Sequence, residues 1–188
     1  KNKTNKPKSS GAVHIELSSY NRPSVVETSR SEWIDYGDDN DYYQYIIDQY
    51  INSTTNHAVI DGIVQLIYGE GLEATDAETN IKAALELRNI LKPRDLKRVI
   101  LDFKLLGEGA FQVIYKGAGA LKKIDSLKHF PRQTLRAGKM NKDGEVDMYF
   151  AHPNWKEVRG KNDTRIKPIP YFGKGSNESE IFIIKKYT

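Results

Sequence analysis

The sequence predicts an α+β fold in which helices come first and antiparallel strands follow. Three observations carry that prediction. Apolar residues recur at helical spacing between residues 31 and 107 and alternate after Gly107. The second half is broken by glycine-containing turns that suit hairpins. Helices and strands are segregated along the chain, whereas a doubly wound sheet would alternate them. With 188 residues the chain has one domain's length and can bury a core. It divides into a basic, extended arm over 1–30 and an α+β domain over 31–188, helical over 31–107 and β-rich over 108–188. Residues 181–188 read as a strand cut in mid-course, so a chain continuing past Thr188 is expected.

Residues 1–12, with Lys1, Lys3, Lys6 and Lys8, read as a disordered arm. Val13, Ile15 and Leu17 alternate with His14 and Glu16 as in a short strand, and Asn21-Arg22-Pro23 turns the chain. A compact turn from Trp33 to Asn40 then opens an aromatic-rich helix over about 42–51. The polar break Asn52-Ser53-Thr54-Thr55-Asn56 leads to a second helix, about 57–68, with Ile60, Ile63, Val64 and Ile67 on one face. Gly62 inside it costs about 1 kcal/mol against Ala, which predicts close packing there. Gly69-Glu70-Gly71 stops the helix. Thr75-Asp76-Ala77-Glu78 has the form of a capping box, ahead of a stripe of Ile81, Ala84, Leu85, Arg88 and Leu91. Lys92-Pro93 ends that third helix, and Pro93 suits the first turn of a fourth. Leu96, Val99, Ile100 and Phe103 form its apolar face, and Gly107-Glu108-Gly109 terminates it. Strands are expected over 110–115, 121–130, 146–150, 166–172 and 181–187. Gly117-Ala118-Gly119 and Asn141-Lys142-Asp143-Gly144 read as turns, and 153–165 as a polar loop around Trp155.

Charge is more informative than composition. A hydrophobic content of 38% and a charged content of 29% describe an ordinary, somewhat polar globular chain. No cysteine is present, which excludes disulfides and thiolate chemistry. No apolar run approaches the roughly 20 residues of a membrane span. The net charge of +4 hides a segregation: residues 31–81 hold eleven Asp/Glu and no Lys or Arg, while residues 82–188 carry a net +11. One reading is an acidic helical face solvated beside a basic sheet. The other is a head-to-tail contact between copies, acidic segment against basic segment.

No motif commits the chain to catalysis. Gly69-Glu70-Gly71-Leu72-Glu73-Ala74 fits G-x-G-x-x-A, but a helix precedes it and two glutamates would repel a pyrophosphate. Gly173-Lys174-Gly175-Ser176 superficially resembles a phosphate loop but lacks the earlier glycine. Asp38, Asp39 and Asp41 cluster as metal ligands could, yet the spacing fails for a calcium loop. Capping of the first helix by one Asp, with the others near its positive end, is the better reading. His14, His57, His129 and His152 show no metal spacing. The aromatic residues around Trp33 to Tyr68 sit among negative charges, which opposes phosphate and favours core packing or a protein interface. No catalytic residue, metal site or cofactor is assigned.

One longer pattern remains: Trp33, Tyr36, Gly37, Asp39 and Asn40, then Asn52, Ser53 and His57, then Tyr68, Gly69, Gly71 and Leu72. This succession of W-x-x-Y-G-x-D-N, N-S-x-x-x-H and Y-G-x-G-L resembles the N-terminal, wing region of tailed-phage portal proteins, closest to those of phages of Bacteroidetes-type hosts. The segment His129-Phe130-Pro131-x-x-Thr134-Leu135-Arg136 continues the resemblance, which covers roughly residues 20–188. That family has a proline after the tyrosine where this chain has Tyr42-Tyr43. The resemblance implies a non-enzymatic structural protein without cofactors. It implies a dodecameric ring at a capsid vertex, assembled in the host cytoplasm and carried in the virion. The implied partners are further copies of the chain, the terminase motor, head-completion (adaptor) proteins, the major capsid protein, and double-stranded DNA passing through without tight sequence-specific binding. From the residues alone, an interaction module with an acidic aromatic face and a metal-dependent hydrolase on Asp38–Asp41 stay open.

Overall fold

The computed structural model describes residues 25–26, 31–73, 76, 78–117, 119–160, 162–175 and 179–185. Residues 1–24 of the basic arm, with the alternating segment at 13–17 and the turn at 21–23, its residues 27–30, and Thr75 of the capping box lie outside them. The described chain is α+β, with four helices preceding the two three-stranded sheets.

Four helices form the first half: α1 (Tyr42–Asn52), α2 (Thr54–Tyr68), α3 (Ile81–Ile90) and α4 (Pro93–Leu106). Helix α1 turns Tyr43 and Tyr50 inward, with Ile46 and Ile47 half-buried between them, a spacing of i, i+3, i+4, i+7. The expected five-residue break after it shrinks to Ser53. Its Oγ accepts the Asn56 N–H at 3.2 Å, and this cap lets α2 begin at Thr54. Val64 is the buried residue of α2, while Ile67 of the expected face is half exposed. Gly62 does not mark close packing: a Cβ there would meet nothing within 4 Å. Helix α3 starts later than the capping box suggests, at Ile81 after Asn80, because the Asp76 carbonyl instead collects the N–H groups of Thr79 and Asn80. Its expected stripe is also displaced. Ile81 and Leu85 are exposed, and Ala84, Leu87 and Ile90 turn inward.

Helix α4 keeps its expected face. Val99 is buried, Leu96, Ile100 and Phe103 are half-buried, Pro93 opens it and Gly107 closes it with φ 81°. The chain becomes a strand at Glu108, so only the first glycine of Gly107-Glu108-Gly109 ends the helix. Gly109 is required by proximity, since a Cβ would lie 2.7 Å from Val99 Cγ1; strand and helix pack here backbone to side chain.

Two antiparallel sheets follow. The first orders β4 (Lys123–His129), β3 (Glu108–Lys116) and β8 (Glu180–Lys185), with β3 central. The second orders β5 (Leu135–Ala137), β6 (Met148–Ala151) and β7 (Lys167–Pro170). The strands on either side of the 173–178 loop thus belong to different sheets, joined by a parallel bridge from Tyr171 to Ile181. Between the sheets lies one apolar cluster of Ala110, Leu135, Tyr149, Ala151, Ile181 and Ile183. A second cluster, Trp33, Phe150 and Trp155, sits where the start of the domain meets β6. A short ladder of β1 (Val25–Val26) with β2 (Asp35–Tyr36) leads in.

Candidate functional site

The described residues place the first part of the long motif at the junction of the helical and β-rich halves. Residues 32–34 run beside β5 as an added edge. Ile34 donates its N–H to the Ala137 carbonyl at 2.9 Å, Lys139 donates to Glu32 at 3.1 Å, and Trp33 bridges Gly138. Trp33 is buried against Phe150 and Trp155, with ring centres at 5.6 and 5.3 Å. Its Nε1–H donates to Asp35 Oδ1 at 3.1 Å, and Asn40 Nδ2 donates to the same oxygen at 2.9 Å. Asn40 Oδ1 in turn accepts the Tyr36 N–H at 3.0 Å. The turn holds Gly37, Asp39 and Asn40 at positive φ. At Gly37 a Cβ would also fall 2.8 Å from that of Tyr42. The absence of a side chain at 37 and an Asn at 40 are thus conditions for this turn.

Arg136 locks that turn to the sheet. It is buried, and its Nε and Nη2 donate to Asn40 Oδ1 and to the Asn40 carbonyl, while Nη1 reaches the Gln133 and Leu135 carbonyls at 2.9 and 2.8 Å. Its guanidinium lies over the rings of Tyr43 and Trp155, 5.3 and 5.1 Å from their centres. Burial draws Arg136 down to about 10, so it stays charged at neutral pH. Burial likewise raises Asp35, against the pull of Trp33 and Arg136. Arg132 is the second buried cation. It donates from Nε and Nη2 to Glu108 Oε2 at 2.9 and 2.6 Å and also lies over the Tyr43 ring, 5.0 Å from its centre. Tyr43 stands where the resembled pattern has proline, and it provides the aromatic face that both arginines share.

The segment from His129 to Arg136 is a strut between α4 and the second sheet. Asp102 Oδ2 meets His129 Nε2 at 2.8 Å and accepts the Arg132 N–H at 3.0 Å; Asp95 accepts the His129 N–H at 3.2 Å. Thr134 offers its carbonyl to Trp155 Nε1 and to the His152 N–H. The two stretches that carry the resemblance therefore meet in one buried cluster.

The remaining motif residues have other partners. Asn52 ends α1 and is exposed. Ser53 caps α2, and His57 stacks on Tyr50 at 4.3 Å and pairs with Asp61 at 3.2 Å, whose other oxygen accepts the Tyr50 hydroxyl at 2.6 Å. This closes the α1–α2 corner. Tyr68 carries Lys97 over its ring at 4.4 Å. With Gly71 and Leu72 it lines a groove of about 450 Å³ against Leu91, Pro93 and Leu96, flanked by Glu70, Glu73, Arg88 and Lys92.

The acidic cluster does not form the expected cap. Asp41 occupies the N-cap position of α1 without a side-chain bond to it, and pairs with Lys156 at 3.0 Å. Among the described residues no group of three or more His, Asp or Glu is arranged to hold a metal ion. The Gly173–Gly175 loop turns its amides on the protein itself. Gly173 and Gly175 donate to the two oxygens of Glu180, each at 3.0 Å, and Tyr115 adds its hydroxyl at 2.6 Å. Glu180 thus fills the anion seat that the loop's sequence suggests.

The helical half leaves apolar surface uncovered: Tyr45, Ile51, Val59, Leu66, Ile67, Ile81 and Leu85 are each more than half exposed, Leu66 at 83%. Comparison with models of known protein families, with curated proteins and with solved structures found no match.

Proposed function

We propose that the chain is a structural subunit of a ring, the wing-like part of a tailed-phage portal through which DNA passes during packaging and ejection. The observation that carries the reading is the junction. Trp33 to Asn40 and His129 to Arg136, far apart in sequence and both part of the portal resemblance, are tied together through Arg136 and Asn40. Two features suit assembly. Exposed apolar side chains crowd a helical segment free of cations, and the rest of the chain is basic. Copies can then meet acidic face to basic face. In this role DNA, the terminase, adaptor proteins and the major capsid protein are successive partners, and the chain itself catalyses nothing.

The test is negative-stain imaging of the complete gene product at low and high salt. Closed rings with a central hole, loosened as salt rises past about 0.1 M and the Debye length falls below about 10 Å, are the expected result. Monodisperse monomers at high concentration and low salt would overturn the proposal. The acidic, aromatic-rich segment 31–81 also favours a second reading, an interaction module that binds one basic partner through that face. That reading predicts a stoichiometric complex and no ring.

A further inference from the structure

We propose that the free edge of β8 is a strand-docking site, and that its occupant is the alternating segment 13–17 of the next copy of the chain. In the ring proposed above, on which this inference rests, each copy then gives one arm and receives one.

The described sheet edges differ in what they offer a new strand. Tyr171 donates its N–H to the Asp147 carbonyl, toward β6, so the alternate positions on the outer side of β7 are Pro168 and Pro170. Neither proline has an N–H, and that edge is closed to pairing. Leu91 bridges Leu127 on the outer side of β4, and residues 32–34 line β5. Strand β8 is covered only at its start. Phe172 donates its N–H to the Ile181 carbonyl at 2.9 Å, so Ile181 turns its backbone groups away from β3. Ala110, opposite Ile183, gives its carbonyl to Phe130 on the β4 side, so this pair is not bonded across the β3–β8 ladder either. Ile183 and Lys185 therefore aim their N–H and carbonyl groups off the edge, where no described residue meets them.

An apolar patch lies beside these groups. Helix α4 packs on β3 and β4. On the same face of β8, Phe182 stands opposite Phe111 and Ile184 opposite Gly109, and both stay 37% exposed. Phe172 meets Phe182 edge-on at 5.7 Å and is itself 40% exposed. A strand that fits must place apolar side chains on this face and polar ones on the other. Val13, Ile15 and Leu17, alternating with His14 and Glu16, have that pattern. Run parallel to β8, the segment sets Val13 against Phe182, Ile15 against Ile184 and Glu16 against the exposed Lys185. The donor is the next copy, because the chain's own arm is short. Val25 pairs with Tyr36, which follows the 32–34 edge. From that edge across β5, β6 and β7 to β8 is four strand spacings, roughly 19 Å, and two packed sheets are about 10 Å thick. Residues 18–24 span at most about 25 Å fully extended.

The chain has no cysteine, so introduced cysteines read the contact directly. Complete gene product carrying Ile15→Cys is mixed with a tagged preparation carrying Ile184→Cys and oxidised gently. Cβ atoms of directly opposed residues lie about 4.5–5.5 Å apart, so a mixed covalent dimer should form. Glu16→Cys faces the other side and should give none with Ile184→Cys. Ile15→Cys and Ile184→Cys on one chain should link copies into ladders. Absence of the mixed dimer, its equal formation from Glu16→Cys, or a link closed within one chain would overturn the docking. Imaging of the same sample reads the ring separately: rings without the mixed dimer remove the strand contact and keep the ring, while the mixed dimer without rings keeps the contact and removes the ring. If Ile184→Cys does not fold, amide exchange of the unaltered β8 decides. Ile183 and Lys185 should be protected, and Ile15→Pro, which alters only the arm, should abolish that protection; equal exchange in the two proteins would overturn the proposal.

Discussion

Arg136 and Asp35 define the junction at the scale of single residues. The Asn40 side chain and carbonyl and the Gln133 carbonyl are all directed at the Arg136 guanidinium. Arg136→Ala leaves the Asn40 and Gln133 carbonyls without this donor in a dry site, and Asn40 Oδ1 with the Tyr36 N–H alone, at an expected cost of about 3 kcal/mol. Arg136→Lys should recover only part of it, because an ammonium cannot reproduce the planar fork or the double stacking. Urea unfolding of both variants measures the difference, and equal stability would show that the fork is not what joins the halves. Asp35 separates charge from geometry. Its one oxygen accepts from Trp33 and Asn40, and an amide oxygen can do the same. Burial disfavours the Asp35 charge, so Asp35→Asn should lie within about 1 kcal/mol of the parent, while Asp35→Ala leaves two donors unpaired and costs about 1–3 kcal/mol. A large loss in Asp35→Asn would assign the role to the charge.

Helix α2 poses the clearest question among the elements. It has a capped start and a single buried apolar residue, and most of its remaining apolar side chains point outward. Gly62 has open space beside it. Gly62→Ala should therefore stabilise the isolated chain by about 1 kcal/mol through helix propensity alone, measurable as a higher urea midpoint with an unchanged slope. If copies pack on this face, the same substitution should weaken their association, and Leu66→Glu should abolish it without unfolding the monomer. Sedimentation of the two variants reads both effects. Ring formation by Leu66→Glu at the parental concentration would remove α2 from the contact.

The tyrosines set how the whole molecule responds to alkali. Burial first, and the neighbouring Asp61 and Glu180 carboxylates second, push Tyr50 and Tyr115 up to about 12, and burial does the same to Tyr149. The ordinary value is 10.0, so the folded state holds these protons more tightly than the unfolded chain. Their contribution to stability is complete below pH 10 and drains away as pH rises through about 12. Denaturant midpoints should fall over that window, and tyrosinate absorbance should appear late and together with unfolding. Early, independent ionisation would contradict the burial of these rings.

The order of elements was legible because it rests on local physics. Helical spacing, Pro93 at a helix start and Gly107 at its end act within a few residues, and α4 follows them closely. The absence of cations from residues 31–81 needs no structure at all, and neither does the pairing of Asn40 with the Trp33 turn as one motif. What local physics could not assign was the environment of each side chain. The stripe of α3 turned because Ala84, Leu87 and Ile90 face the body, and Gly62 faced outward because no neighbour crosses there. The capping box did not set the start of α3, since Asp76 serves a turn ahead of it. The buried charges Arg132, Arg136 and Glu180 carry no periodic signal; they are stable inside only because residues from distant segments deliver acceptors and donors to them. Sequence by itself determined the class, the order of elements and the segregation of charge, all properties of neighbours along the chain. Tertiary structure alone decided which strands share a sheet, that Glu180 fills its own glycine cradle, and that Arg136 welds two motifs roughly a hundred residues apart, because these depend on contacts whose closure only the folded chain provides.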